Sequence, residues 1–229
     1  MKNRLNKLFG DSWGEMFNKH IDKDYFAELG NFLEEESKSY LIFPPKEDLF
    51  NAFKFTPYDK TVVIFLGLDP YTKVDQAYGV SFGVKDSCKS IPTSLRNIYK
   101  EVETDVYEGL NLDFDYSLQE WCKQGCLMLN TALTVRQGAT GSHLKIWSPF
   151  TKTVFKILNE KEFVIYVLLG RKAQEYKKYI KDTPNTHIIK AAHPAAEGYM
   201  GGNAGFFGSK IFTQINKILL NNGREQIKW

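Results

Sequence analysis

Four short apolar runs in this chain each stop at a polar loop. Thr61–Leu68 runs into Asp69-Pro70, and Cys126–Leu129 into Asn130–Thr134. Phe163–Leu169 runs into Gly170-Arg171, and His187–Ala192 into His193-Pro194. The runs are too continuous for half-solvated strands and read as central strands of a parallel sheet, covered on both faces. The segments between them carry the 3.6-residue period of amphipathic helices. Residues 11–40 read as helical, with Tyr25, Leu29, Phe32 and Leu33 inward and Glu34–Glu36 on a solvated face. Pro44-Pro45 breaks the pattern, and Leu49–Phe53 suggests a short helix. Pro92-Thr93-Ser94 opens a helix through Val102, with Ser94 or Thr93 available as cap. Leu118 and Trp121 mark a short helix stopped by Gly125. Ser148 reads as an N-cap with Pro149 at the first helical position, leading a stripe of Phe150, Val154, Ile157 and Leu158. Residues 171–181 read as a basic exposed helix. Phe207–Leu220 reads as a last helix with Phe212, Ile215, Ile218 and Leu219 inward. Strands alternating with helices over 61–220 predict a three-layer α/β/α sandwich around a mainly parallel four-stranded sheet.

Composition narrows this little. At 229 residues a single domain spanning 1–229 is expected, with ordinary hydrophobic (43%) and charged (25%) fractions. A net charge of +3 permits a nucleic-acid partner without demanding one. The three cysteines, Cys88, Cys122 and Cys126, form no disulfide framework or zinc spacing and read as free thiols in a reducing compartment. The first residues lack a signal core, and no stretch reaches the roughly 20 apolar residues that span a bilayer. A soluble, cytoplasmic, monomeric protein without membrane contact is the expectation.

Ligands of open α/β sheets bind beyond the carboxyl ends of the strands. Three of the four polar loops begin with a residue suited to chemistry or base reading: Asp69, Asn130 and His193. Singly, each is a common turn or capping residue; together they point to one cleft. No G-x-G-x-x-G or G-x-x-x-x-G-K-[ST] fingerprint follows any strand, which speaks against a nucleotide-binding enzyme of the usual kinds.

Longer motifs carry a resemblance. Gly67-Leu-Asp-Pro-Tyr71, followed by Gln76-Ala-Tyr-Gly-Val-Ser-Phe82, resembles the water-activating motif of family 1 uracil-DNA glycosylases. Leu127–Val135 resembles the family's uracil-reading strand end, and Ser142-His143 its following Ser-His pair. His193-Pro194 with Gly205-Phe-Phe-Gly208 resembles its DNA-intercalation motif. Pro92–Leu95 and Asn97–Glu101 resemble its phosphate-contacting loop and helix, and Tyr40–Pro57 its approach to the first strand. The resemblance implies hydrolysis of the N-glycosidic bond of a flipped deoxyuridine in single- or double-stranded DNA, which initiates base-excision repair. It implies Asp69 and His193 as catalytic groups, and Leu68, Tyr71, Phe82 and Asn130 as uracil-binding residues. Asp69 would stabilise the oxocarbenium-like sugar and orient water, and neutral His193 would donate to the developing uracil anion. Asn130 would match O4 and N3–H, Phe82 would stack on the base, and Tyr71 would crowd thymine's methyl. Pro92 and Ser94 would meet phosphate. No metal or organic cofactor is implied, and a DNA-mimicking protein inhibitor is a plausible partner.

The chain departs from the family pattern at four places. Leu68 stands where Gln is usual, Thr72 and Tyr78 where His is usual. After His193-Pro194 the chain reads Ala-Ala-Glu-Gly-Tyr-Met-Gly-Gly-Asn-Ala before Gly205, without the usual serines and wedge leucine. Tyr199 or Met200 is the candidate wedge, and Gly201 and Gly202 could bring backbone amides to phosphate. The altered loop leaves a second reading open: a glycosylase-fold protein used chiefly for DNA binding or as a partner subunit.

Overall fold

The computed structural model describes residues 2–110, 113–198, 200–202 and 204–229. Four strands form its sheet: β2 (Val63–Gly67), β3 (Cys126–Asn130), β5 (Val164–Leu169) and β6 (Thr186–Ala191), all parallel in the order β3-β2-β5-β6. A separate two-residue ribbon pairs β1 (Ile42–Phe43) antiparallel with β4 (Val135–Arg136). The four expected runs are the four strands, each shifted by no more than two residues at its start.

The side-chain period of two splits each strand between two cores. Val63, Phe65, Met128, Ile165 and Val167 face one layer of helices: α5 (Thr93–Val106), α6 (Gln119–Lys123) and α9 (Ile211–Asn221). Ile64, Leu66, Leu127, Leu129, Tyr166 and Leu168 face the other: α1 (Lys2–Phe9), α2 (Asp11–His20), α3 (Lys23–Ser39), α4 (Asn51–Phe55) and α7 (Leu144–Leu158). The molecule is therefore an α/β/α sandwich, and every residue of β2, β3 and β5 is buried. Phe150, Val154, Ile157 and Leu158 form the stripe that the pattern predicts. Cys122 and Cys126 are buried free thiols, while Cys88 is half-buried. Among the described residues no helix is long and apolar enough to cross a membrane.

Several expectations are corrected. The helix over 11–40 is two, because Asp22 breaks it: its carboxylate accepts from the N–H groups of Asp24 (3.0 Å) and Tyr25 (3.1 Å) and starts α3. Glu36 is not solvated but pairs with Arg136 at 2.6 and 2.8 Å. Residues 171–181 form only the short α8 (Arg171–Gln174), continued by a 3₁₀ turn, Glu175–Tyr179. The last helix starts at Ile211, not Phe207. The N–H groups of Phe206 and Phe207 go to Glu197, and Asp105 takes those of Phe212 and Thr213, both at 3.0 Å.

The largest correction is at Pro149, which lies inside α7 rather than at its first position. Proline breaks the i→i−4 ladder and distorts the turn around it. Tyr25 of α3 spans the damage: its hydroxyl donates to the Ile146 carbonyl (2.7 Å) and accepts from the Phe150 N–H (3.3 Å). One phenol thus inserts between a donor and an acceptor that a regular helix would join directly. Burial holds the Tyr25 phenol neutral, pushing its pKa up to about 12. Tyr25→Phe should therefore lower unfolding stability by about 1–3 kcal/mol, the cost of two unpaired backbone groups. An unchanged urea midpoint would show that the helix closes without the hydroxyl.

Candidate functional site

The register of the sheet sets the site. Gly67 pairs with Asn130, Leu66 with Leu168 and Leu169 with Ala191, so the strands stop nearly level. Leu68-Asp69, Asn130, Gly170 and His193 therefore emerge along one edge, as the sequence pattern predicts.

Gly67 is the floor. A Cβ there would lie 2.4 Å from both Asn130 Oδ1 and Ser81 Oγ, and 3.3 Å from the Phe82 ring. A side chain would displace all three neighbours. Ser81 donates to Asn130 Oδ1 at 2.8 Å, in a buried position. That bond orients the amide, leaving a second lone pair on Oδ1 and two N–H groups on Nδ2 for a ligand. Phe82 is buried and held at φ +66, a conformation that costs a non-glycine residue energy and marks a constrained position. Its ring centroid lies 5.9 Å from that of His193.

Tyr71 ties this wall together. Its hydroxyl donates to the Phe82 carbonyl at 2.7 Å and sits 2.9 Å from Ser94 Oγ. Because the phenol's single proton goes to Phe82, Ser94 is the donor in the second bond. Ser94 is buried and does not cap α5. Pro92 occupies the N-cap position and no side-chain cap bond forms. Burial raises the Tyr71 pKa well above its ordinary value, so the phenol stays neutral.

The two groups with acid–base chemistry are each held by one backbone N–H. Gly141 donates to Asp69 Oδ2 at 2.5 Å. Burial pushes the Asp69 pKa above the ordinary carboxylate value, and the Gly141 bond opposes the shift. Ala195 donates to His193 Nδ1 at 3.1 Å. That nitrogen is therefore the acceptor and Nε2 carries the proton. Burial lowers the His193 pKa, favouring this neutral form. Gly170, at φ +88, gives His193 its space, since a Cβ there would lie 2.9 Å from the histidine Cβ.

Below Gly141, Ser142 Oγ accepts from the Arg136 N–H at 2.9 Å, and buried His143 lies 2.8 Å from Thr134 Oγ1. Trp147 donates to that same threonine oxygen at 2.6 Å. His143 Nε2 lies 3.4 Å from the Glu36 carboxylate, which can only accept, so Nε2 carries the proton of the neutral ring and Nδ1 accepts from Thr134. The Ser-His pair thus supports the loop that holds Asp69.

Beyond His193 the chain makes a 3₁₀ turn, Pro194–Gly198. Met200, just after it, is 59% exposed. Gly201 (φ +60) and Gly202 (φ +85) adopt conformations that favour glycine. The Gly202 N–H is bound to the Glu197 carbonyl at 3.0 Å, so this amide is spent inside the loop rather than held out for phosphate. Tyr199 lies outside the described residues.

Sequence reasoning missed Ser81, Gly141 and Glu197. Ser81 stands one residue before Phe82 inside a motif already singled out. Gly141 and Glu197 act through backbone amides, which leave no signature of residue type. Among the described residues no group of three or more His, Cys, Asp or Glu side chains could hold a metal ion. A hollow of about 180 Å³ bounded by Tyr99, Asp115, Trp121 and Trp229 shares no residue with this site.

Comparison with known proteins gives a consistent answer. A profile of the uracil DNA glycosylase superfamily matches residues 53–220. A uracil-DNA glycosylase of Fusobacterium nucleatum is 44% identical over 227 residues, covering 98% of this chain and 97% of that protein. One of Bacillus cereus is 43% identical over 227 residues, covering 98% of each. A mimivirus UNG variant solved in complex with UGI superposes with a TM-score of 0.86 at 27% identity, covering 100% of this chain and 90% of the other. With these matches laid over the strand-end row of Asp69, Asn130 and His193, the chain belongs to the uracil DNA glycosylase superfamily.

Proposed function

We propose that this chain, as one domain, hydrolyses the N-glycosidic bond of a flipped deoxyuridine in DNA, through the following residues. The observation that carries the assignment is the bond from the Ala195 N–H to His193 Nδ1 at 3.1 Å, beside the Phe82 ring, which assigns the single donor of a neutral imidazole to Nε2. Such a donor suits a leaving group that acquires negative charge on an oxygen without being protonated there.

The extruded base stacks on Phe82, with its edge against Asn130. The Asn130 Nδ2 donates to O4 and Oδ1 accepts from N3–H, a pattern that cytosine's 4-amino group and bare N3 do not match. The Tyr71 ring occupies the space that a 5-methyl group would need, held by its bonds to Phe82 and Ser94. The C1′–N1 bond breaks with its electron pair going to the uracil, and His193 stabilises the charge at O2. Asp69 faces the cationic sugar and orients water, whose oxygen bonds to C1′ and whose proton passes to the carboxylate. The Leu68 backbone lines the same mouth. Pro92 and Ser94 approach phosphate; Ser94 must turn its proton away from Tyr71 to donate there. Tyr199 or Met200 enters the stack that the base leaves, with Gly201 and Gly202 allowing close approach to the backbone. A DNA-mimicking protein inhibitor is a partner for the same surface, given that a mimivirus relative is solved with UGI. A cytoplasmic site of action fits this reading. The direct test is release of free uracil from single- and double-stranded uracil-containing DNA. DNA binding without release would favour the alternative of a binding subunit.

Asp69→Asn should slow single-turnover excision by about two orders of magnitude or more while DNA binding persists, since the lost stabilisation acts on the transition state. Near-wild-type rates would remove Asp69 from this role. The pH dependence follows from burial. Activity needs ionised Asp69, whose pKa is raised, and neutral His193, whose pKa is lowered. The acid limb of kcat/KM should therefore lie above the ordinary aspartate value of about 3.9, with no separate limb at the ordinary histidine value of about 6.5. A limb at or below the ordinary aspartate value would sink a buried carboxylate base.

Base choice divides between two residues. Asn130→Asp should gain weak release of cytosine, because a carboxylate can accept from the 4-amino group. Tyr71→Ala should admit thymine. Mass spectrometry of the released bases checks both, and unchanged selectivity in either variant removes that residue from base reading.

A further inference from the structure

Glu197 is one of the few acidic residues whose side chain is buried, at 3% exposure, and the chemistry proposed above does not use it. Its carboxylate lies in a nest of consecutive backbone amides. Oε2 accepts from the N–H of Ala204 (3.0 Å), and Oε1 accepts from those of Phe206 (2.5 Å) and Phe207 (3.0 Å). Burial alone would raise its pKa, but these amides and that of Gly205 outweigh it and hold the carboxyl below its ordinary value. The Glu197 carbonyl also takes the Gly202 N–H at 3.0 Å. One residue therefore closes the loop twice, tying its start to its far side and to the chain that leaves it.

We infer that Glu197 is a positioning residue: an internal anion that pre-forms the loop after His193, so that its tip can displace a base from a duplex. This inference rests on the uracil-excising reading above. A projecting side chain such as Met200 displaces a stacked base only if the loop beneath it resists the load. A loop ordered only on contact would lose part of the binding free energy in ordering itself. Charge-assisted bonds from a buried carboxylate to backbone amides supply the ordering before DNA arrives. The start of the turn has its own support, since Asn97 Nδ2 donates to the Pro194 carbonyl at 2.8 Å. The base of the next segment has another: Glu101 accepts from the N–H groups of Gly208 (2.8 Å) and Lys210 (2.9 Å). Loss of the Glu197 carboxylate thus loosens the loop between these two anchors and leaves His193 in place.

A single strand offers no stack to breach, so the two substrates separate the role. Glu197→Gln and Glu197→Ala should lower kcat/KM on duplex uracil DNA by about 10- to 100-fold, the scale of lost charge-assisted bonds. On single-stranded substrate the loss should stay below about threefold. A duplex carrying the uracil in an unpaired bulge should recover most of the lost rate in both variants. Equal losses on both strand types, or an unchanged duplex rate, would overturn the role. Hydrogen exchange on the wild-type protein tests the latch independently of any variant's folding. The amides of Ala204, Phe206 and Phe207 should be protected, and exchange at free-loop rates would refute it. If the wild type itself released no uracil from either substrate while those amides were protected, the excision reading would fail and the latch geometry would stand.

Discussion

The in-register pairing of Gly67 with Asn130 at the ends of two buried strands sets the level at which the rest of the site is built. Both strands are buried on both faces, so neither can slip without moving a set of apolar side chains into the wrong core. Gly67 has no room for a Cβ between Asn130, Ser81 and Phe82, so what those three side chains pack against is backbone rather than side chain. Phe82 follows from that contact at the cost of a positive φ. Tyr71 is then fixed by the Phe82 carbonyl, and Ser94 by Tyr71. Rigidity passes from the sheet to Phe82, Tyr71 and Ser94 through a short series of directed bonds.

Charge is handled in the same economical way. Glu101, Asp105 and Glu197 all accept backbone N–H groups over residues 204–213. An acidic group without such donors would be costly to bury. These carboxylates bring residues 204–210 and the start of α9 into order without a regular element between them. Asp69 differs because one amide, that of Gly141, is opposed to its burial. The result is a carboxylate with a raised proton affinity beside the site rather than a structural cap. Environment, more than residue type, separates the acidic side chain with a raised proton affinity from those committed to architecture.

The sheet, its two covering layers and the strand-end row were legible because they rest on period and continuity, which a short window reveals. Asp69, Asn130 and His193 could be singled out by position alone. The β1–β4 ribbon was not legible, since two residues carry no period. The true start of α7 was hidden because Pro149 is compensated by Tyr25, far away in the chain. Local rules place a proline at a helix start; only the tertiary contact permits it further in. Ser94 looked like a helix cap because Ser before an apolar stripe commonly is one, and its bond to Tyr71 depends on a loop more than twenty positions earlier. Glu36, assigned to a solvated face, is drawn in by Arg136, 100 positions later.

Outside the loop after His193, the departures from the family's usual residues fall where side-chain identity matters least to the frame. Leu68 serves the loop through its carbonyl, which accepts from Thr131 Oγ1 at 2.6 Å and from the Ala132 N–H at 3.0 Å. Thr72 likewise serves through its carbonyl, which takes the Gly138 N–H at 3.1 Å. Any residue able to follow the backbone path makes these bonds. Tyr78 turns away from the mouth: its ring is buried and its hydroxyl donates to the Ser117 carbonyl. The Asp69 loop is therefore held by main-chain contacts across to the segments after Asn130 and β4, and it tolerates less polar side chains without losing its course.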